Sequence, residues 1–386
     1  HRDLHSFPTR RSSDLIGHDA VSAYTQALQR KKRHDAAYNS FRFFQAVKLA
    51  LKNPDFTSTR IFGQSWSAPH LAGLFLKEIK RQADNYTGRN ETSVVVGRPV
   101  VLGNTAAEDT AIQSRFEEAC RYAGFENIRF VLEPVGAMLA SGRNRNGTIL
   151  IFDFGGGTLD ISIASRHNGV TKILANGGID LGGYTINEDI SRARVIGHFG
   201  FYGKFRTMTG RLLDMPSWIT DQVASFYALP LSEIARTRAT IKDLIPEAVG
   251  SDKPKLSGLL EFLDNNLAFS LFDCIDEAKI RLSSDEQSYL RFDVEPFISI
   301  NEKILRKEFS ALIEPRIVAA RELIERTMAA ANLTAGQVDH VILVGGSSRI
   351  PVFITMLEEI FSSRVQEGAV FTSIASWLLF ADTKFS

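Results

Sequence analysis

The sequence predicts an α/β protein built as two lobes, and three observations carry that prediction. Its 386 residues are too many for one simple core. Apolar, β-branched runs are followed by helical patterns more than once, the order expected of α/β lobes. Finally, ILIFDFGGGTLDISI, Ile149 to Ile163, puts a buried strand, a glycine turn and a second strand into one short stretch.

Composition narrows the function classes. Lysine plus arginine (45) nearly equals aspartate plus glutamate (44), so no global field calls for nucleic acid or an anionic membrane. Cys120 and Cys274 sit in helical patterns without a CxxC or a histidine companion, which predicts buried thiols in a reduced compartment. No apolar run approaches the ~20 residues that span a bilayer, and the expected location is the cytoplasm.

Taken in order, residues 1–15 lack periodicity. HSFPTRRSSDL, His5 to Leu15, resembles a translated sequencing-library adapter and is expected to be a non-native scar. A first lobe is expected over residues 16–144. In it, Arg42 to Leu51 shows a helical face with Lys48 beside it, and Ala68 to Gln82 reads as an amphipathic helix. Ser93 to Leu102 reads as a strand followed by a helix over Thr105 to Ala123. A second strand, Ile128 to Leu132, leads to Glu133 and a helix opening near Pro134. Glu133 stands at a strand's carboxyl end, the edge where ligands of open α/β sheets gather.

A second lobe is expected over residues 145–365, organised around the glycine hairpin. Ile149 to Phe152 is an apolar run bounded by turn residues, and Leu159, Ile161 and Ile163 share one face of the next strand. Glycines at 155, 156 and 157 let consecutive N–H groups converge on an anion. Asp153 and Asp160 flank them as hard oxygen ligands for magnesium or its waters. A triphosphate with its metal fits such a turn. Val170 to Ala175 reads as a third strand, and Gly182 and Gly183 precede a helix whose amides can face a phosphate. Ala193 to Ala228 is rich in aromatics and shows no chemistry. One long helix is expected over Leu256 to Ser284, buried through Leu259, Leu260, Leu263, Leu267, Leu271 and Ile275. Asp276, Lys279 and Ser283 share one of its faces. Tyr289 to Val294 and Phe297 to Ile300 read as a hairpin, and Glu302 to Ala331 as helix interrupted by Pro315. His340 to Phe353 gives a strand, the pair Gly345 and Gly346, and a helix that starts by Pro351. Arg349 is suited to lie over a base as a planar cation. Residues 366–386 are expected to form a last helix, through Phe371 to Phe380, returning to the first lobe.

DFGGGTLD (Asp153 to Asp160), DEAKIRLSS (Asp276 to Ser284) and VGGSSRIP (Val344 to Pro351) resemble motifs of the seventy-kilodalton heat-shock chaperones. That resemblance implies the two-lobed actin-like ATPase, or ribonuclease H-like, fold with ATP or ADP and Mg2+ bound. It implies that Gly155, Gly156, Gly157 and Thr158 hold phosphates, with Asp160, Gly182 and Gly183 beside them. Asp153 and Glu133 would position metal waters, and Lys48 would stabilise the transferred phosphoryl group. Asp276, Lys279 and Ser283 would bind ribose and adenine; Gly345, Gly346 and Arg349 would complete the adenosine site. Ile280 stands where the family has an arginine against the adenine, so an apolar contact replaces a cation there. Implied partners are client proteins and co-chaperones, with nucleotide-driven motion and slow hydrolysis as the output. The family's first phosphate loop, of DxGTxxS type, should precede Ile16. It is absent, so a short bacterial member, shortened at its N-terminus and consisting of the nucleotide-binding domain, is expected, with ATP hydrolysis a property of the intact chain and impaired in this shortened one. Two other classes share the hairpin. One is an interaction module without turnover, either a pseudo-ATPase or a filament subunit; the other is a sugar or polyphosphate kinase.

Overall fold

The computed structural model describes residues 20, 22–23, 44, 47–54, 56–61, 64–100, 102–103, 105–132, 146–168, 170–206, 209–225, 231–250, 252–265 and 267–367. The expected scar, Glu133, the helix from Pro134 and the helix of Phe371 to Phe380 lie outside them. In chain order the elements are α1 (Val47–Lys52), β1 (Ser58–Ile61), β2 (Gln64–Ser67), α2 (Ala68–Thr87), β3 (Ser93–Arg98), α3 (Ala106–Ala123) and β4 (Asn127–Leu132). Then come β5 (Gly147–Phe154), β6 (Leu159–His167), β7 (Val170–Ile179), α4 (Gly183–Arg194), β8 (Lys204–Arg206), β9 (Leu212–Asp214), α5 (Ser217–Ala224) and α6 (Leu231–Leu244). The rest are α7 (Asp252–Asp264), α8 (Ala268–Ser284), β10 (Gln287–Val294), β11 (Ile298–Leu305), α9 (Arg306–Leu312), α10 (Glu314–Ala330), β12 (His340–Val344), α11 (Pro351–Phe361) and β13 (Val365–Glu367).

The chain divides into two compact units. One comprises His1–Val94, Leu102–Arg129 and Tyr227–Ile234; the other comprises Val95–Val101, Phe130–Phe226 and Ala235–Ser386. In the first, Ala68, Ala72 and Ala119 let α2 and α3 approach closely over Leu51. Capping fixes both helices. Ser67 accepts from the His70 amide and Thr105 from the Glu108 amide, while Gly88 and Gly124 end them with φ of 68° and 99°. Arg115 of α3 then donates to the carbonyls of Ala50, Asn53 and Phe56, tying down the segment after α1. Its guanidinium pKa is lowered by burial.

The second unit is built on a five-stranded sheet in the order β13-β12-β5-β6-β7. β5 to β7 form an antiparallel meander, and β12 runs parallel to β5, with Val344 opposite Asp153. Ile149, Ile151, Ala164, Ile342 and Val344 form a core cluster of the sheet. A Cβ on Gly177 of β7 would stand 2.4 Å from the Thr327 hydroxyl of α10, so the glycine permits that helix its close approach. Strands expected at Ile149 to Phe152, at Leu159 to Ile163 and at Val170 to Ala175 are present and longer than anticipated.

Three expectations need correction. Leu256 to Ser284 is two helices, α7 and α8: the Asn265 amide makes the last ladder bond of the first to the Glu261 carbonyl, and the Leu267 amide then reaches five residues back to the Phe262 carbonyl, a bond that ends a helix. Glu302 to Leu305 is strand, since Ile300 and Ile304 point inward with period two and pair with β10; helix begins only at Arg306, and Pro315 lies in the first turn of α10. Residues 366–367 belong to β13, parallel to β12, so the expected C-terminal helix does not begin there. Cys120 is buried, which pushes its thiol up to about 11, whereas Cys274 is only half-buried. Among the described residues no helix is long and apolar enough to cross a membrane.

Candidate nucleotide site

Parallel strands β5 and β12 end side by side, and each runs directly into glycines. Gly155 to Thr158 turns the chain from β5 into β6, closed by the Gly155 amide donating to the Thr158 carbonyl at 3.1 Å. Gly345 follows β12 with φ 82° and ψ 154°, a region open to glycine alone; a Cβ there would lie 2.4 Å from the Phe154 carbonyl oxygen. Ser347 reaches back, its hydroxyl donating to the Gly155 carbonyl at 2.9 Å.

The turn is clamped from a second side by α4. The amides of Gly183 and Tyr184 donate to the carbonyls of Gly155 (3.0 Å) and Gly156 (2.8 Å), and the Gly182 amide is held by the Thr185 hydroxyl at 3.2 Å. A Cβ on Gly182 would meet the Gly156 carbonyl oxygen at 2.3 Å. Gly182 and Gly183 therefore seat the helix on the turn, and their amides already have partners. In contrast, among the described residues no hydrogen bond engages the N–H groups of Gly156, Gly157 and Thr158 or the Thr158 hydroxyl.

Asp153 and Asp160 face each other in register across β5 and β6 and are 7% and 2% exposed. Asp160 Oδ1 accepts from the Val100 amide at 3.1 Å, so one of its oxygens is committed to holding the chain after β3. On α8, Lys279 is buried, donating to Asp276 Oδ1 at 2.6 Å and to the Gly183 carbonyl at 3.2 Å. Burial lowers its pKa, and Asp276 works against that. Ser283 is half-buried on the same helix, and Ile280 is 60% exposed. Arg349 pairs loosely with Glu367 at 3.4 Å, and Gly346 has nothing within 4 Å of where a Cβ would stand. Lys48 is exposed on α1 of the first unit.

The structure thus brings Gly155 to Thr158, Gly182, Gly183, Lys279, Asp276 and Gly345 into one bonded neighbourhood. Ser347 was legible only as part of the VGGSSRIP motif, and its bond to the glycine turn appears only in the structure. Asn187 and Tyr184 carry no motif signal and are found only through α4.

Glycine turns meet at the carboxyl ends of β5 and β12, the edge where ligands of open α/β sheets bind. The family model described as Hsp70 protein matches residues 24–199 and 260–370, and the chain belongs to that family, which has the actin-like ATPase fold. It is 25% identical over 332 residues to the chaperone protein DnaK of Thermosipho melanesiensis, covering 84% of this chain and 45% of that one. To the mitochondrial heat shock 70 kDa protein of Pisum sativum it is 29% identical, over 79% of this chain and 37% of the relative. To the chaperone protein dnaK3 of Synechococcus elongatus it is 29% identical, over 75% and 32%. The chain spans less than half the length of each of these relatives.

Proposed function

We propose that the chain binds ATP or ADP with magnesium and acts as a slow, chaperone-like ATPase in the cytoplasm, in which nucleotide sets affinity for client protein and co-chaperones. The carrying observation is the β5–β6 turn: three successive N–H groups and a hydroxyl without partners among the described residues, on a backbone clamped by α4 and Ser347. A preorganised set of this kind suits phosphate oxygens and needs no rearrangement when charge develops on them. The relatives' names, chaperone protein and heat shock protein, support the output.

In this reading Gly156, Gly157 and Thr158 donate to phosphates, Gly155 closes their turn, and Gly182 and Gly183 hold it rigid. Asp153 and Glu133 orient waters, with Asp160 fixing the neighbouring backbone and Lys48 offsetting charge on the transferred group. Magnesium, when bound with the nucleotide, neutralises phosphate oxygens. Among the described residues no three His, Cys, Asp or Glu side chains gather to hold an ion. Asp153 and Glu133 would offer two carboxylates, and magnesium keeps waters and binds largely through phosphates and one or two carboxylates. Asp276, Lys279 and Ser283 take the ribose side. Gly345 and Gly346 let adenosine approach the backbone, and Arg349 exchanges an exposed pair worth little for a base. Ile280 adds an apolar contact.

Steady-state ATP hydrolysis tests the reading. Asp153→Asn keeps the shape and removes the charge, so turnover should fall by about 100-fold or more while the melting temperature moves little. Parallel losses of turnover and stability would make Asp153 a structural residue. Nucleotide binding without hydrolysis, in this chain and in one extended by a first phosphate loop alike, would move the non-hydrolysing interaction module ahead.

A further inference from the structure

Asn187 lies one turn along α4 from Gly183 and is 1% exposed. Its Nδ2–H donates to Asp276 Oδ1 at 2.9 Å, while its own Oδ1 is buried and, among the described residues, has no hydrogen-bond partner. Asp276 Oδ1 also accepts from Lys279, and Lys279 donates to the Gly183 carbonyl, so the bonds close a ring from α4 to α8 and back. The same first turn of α4 carries the two amides that clamp the glycine turn. A buried amide oxygen left unpaired is unfavourable for folding, and a leucine of similar size would not carry that penalty. What the amide contributes therefore lies at Nδ2. With Oδ1 of Asp276 held twice, Oδ2 stays uncommitted among the described residues, on a side chain 38% exposed.

We infer that Asn187 is a positioning residue for the nucleotide site, pinning Asp276 against Lys279 so that one carboxylate oxygen remains free for a ligand hydroxyl and α8 is tied to the glycine turn. The inference rests on the nucleotide reading above and adds a residue to it. Asn187 acts through Asp276 and touches no ligand.

The test uses the whole chain and two readouts. First, without nucleotide, carbamylation of Lys279 by cyanate is followed by mass spectrometry at a fixed pH. Burial drives Lys279 toward the neutral, reactive amine and Asp276 opposes this. Asn187→Leu lets Asp276 turn to water, so Lys279 should react several-fold faster, in the same direction as Asp276→Asn on its half-exposed side chain. Asn187→Asp adds a second carboxylate and should slow the reaction. Opposite signs are not expected of a residue that only fills space. Second, both Asn187 variants should bind magnesium-ADP about tenfold more weakly than wild type. Shifts of the same sign, or none, with unchanged ADP affinity would overturn the inference. Opposite rate shifts in a chain that binds no nucleotide at all would leave Asn187 its positioning role and remove the nucleotide reading.

Discussion

Lys279 is the residue at which folding and proposed function pull apart. Burial disfavours its charge, a half-exposed Asp276 restores part of it, and the Gly183 carbonyl takes another proton donor. Removing one partner of a buried pair is costly where it strands a buried charge, but the Asp276 side chain is 38% exposed and can turn to water, so losing the lysine here mainly removes the cost of burying a cation. Lys279→Met should therefore leave the nucleotide-free melting temperature unchanged or raised, yet cost roughly 1–3 kcal/mol of ATP binding through a lost charge-assisted bond. Calorimetry beside thermal melting checks both halves. The pH dependence follows from the same shift. Because the folded pKa lies below the unfolded 10.5, the folded chain holds fewer protons between the two values, and stability should climb as pH rises through that window. The methionine variant should lack this climb in denaturant titrations at alkaline pH. DEAKIRLSS made Asp276 and Lys279 visible in the sequence, but not that the lysine would be buried or that Asn187 would bind the acid. Those facts depend on α4 lying against α8, and no local pattern reports it.

At the scale of elements, the glycines after β12 separate backbone geometry from ligand access. Gly345→Ala forces a Cβ onto the Phe154 carbonyl at a φ of 82°, so it should destabilise the chain by about 1–3 kcal/mol or more. Gly346→Ala meets nothing within 4 Å and should stay within about 0.5 kcal/mol of wild type, while weakening nucleotide binding if adenosine approaches that backbone. Urea unfolding of the two variants side by side, with ATP titrations of the second, decides the matter. Equal stability in both would mean that β12 and β5 are less closely joined than Gly345 implies. The hairpin of β5 and β6 was legible because a period of two, a glycine turn and flanking acids agree. The break between α7 and α8 was not, because the apolar stripe runs on through Leu263, Leu267 and Leu271, past the point where the Leu267 amide turns back onto the Phe262 carbonyl. Glu302 to Leu305 misled for a related reason. Charged Glu302 and Lys303 hide the alternation, and strand pairing with β10 overrides local helix preference.

At the scale of the whole molecule, a ligand that binds only the folded chain stabilises it by mass action. Magnesium-ATP at about 100 times its dissociation constant should add roughly 2.7 kcal/mol and raise the melting temperature, with the shift growing as nucleotide is increased. Differential scanning fluorimetry across a nucleotide series checks this, and the shift should shrink in Lys279→Met. The central claim, that the clamped glycine turn holds phosphate, is tested most directly by calorimetric titration of the chain with ATP, ADP and adenosine, with and without magnesium. One ATP or ADP per chain should bind saturably and more tightly with magnesium, and adenosine much more weakly, since it offers nothing to the N–H groups of Gly156, Gly157 and Thr158. Adenosine binding as tightly as ATP, or no binding of either by a folded chain, would contradict it.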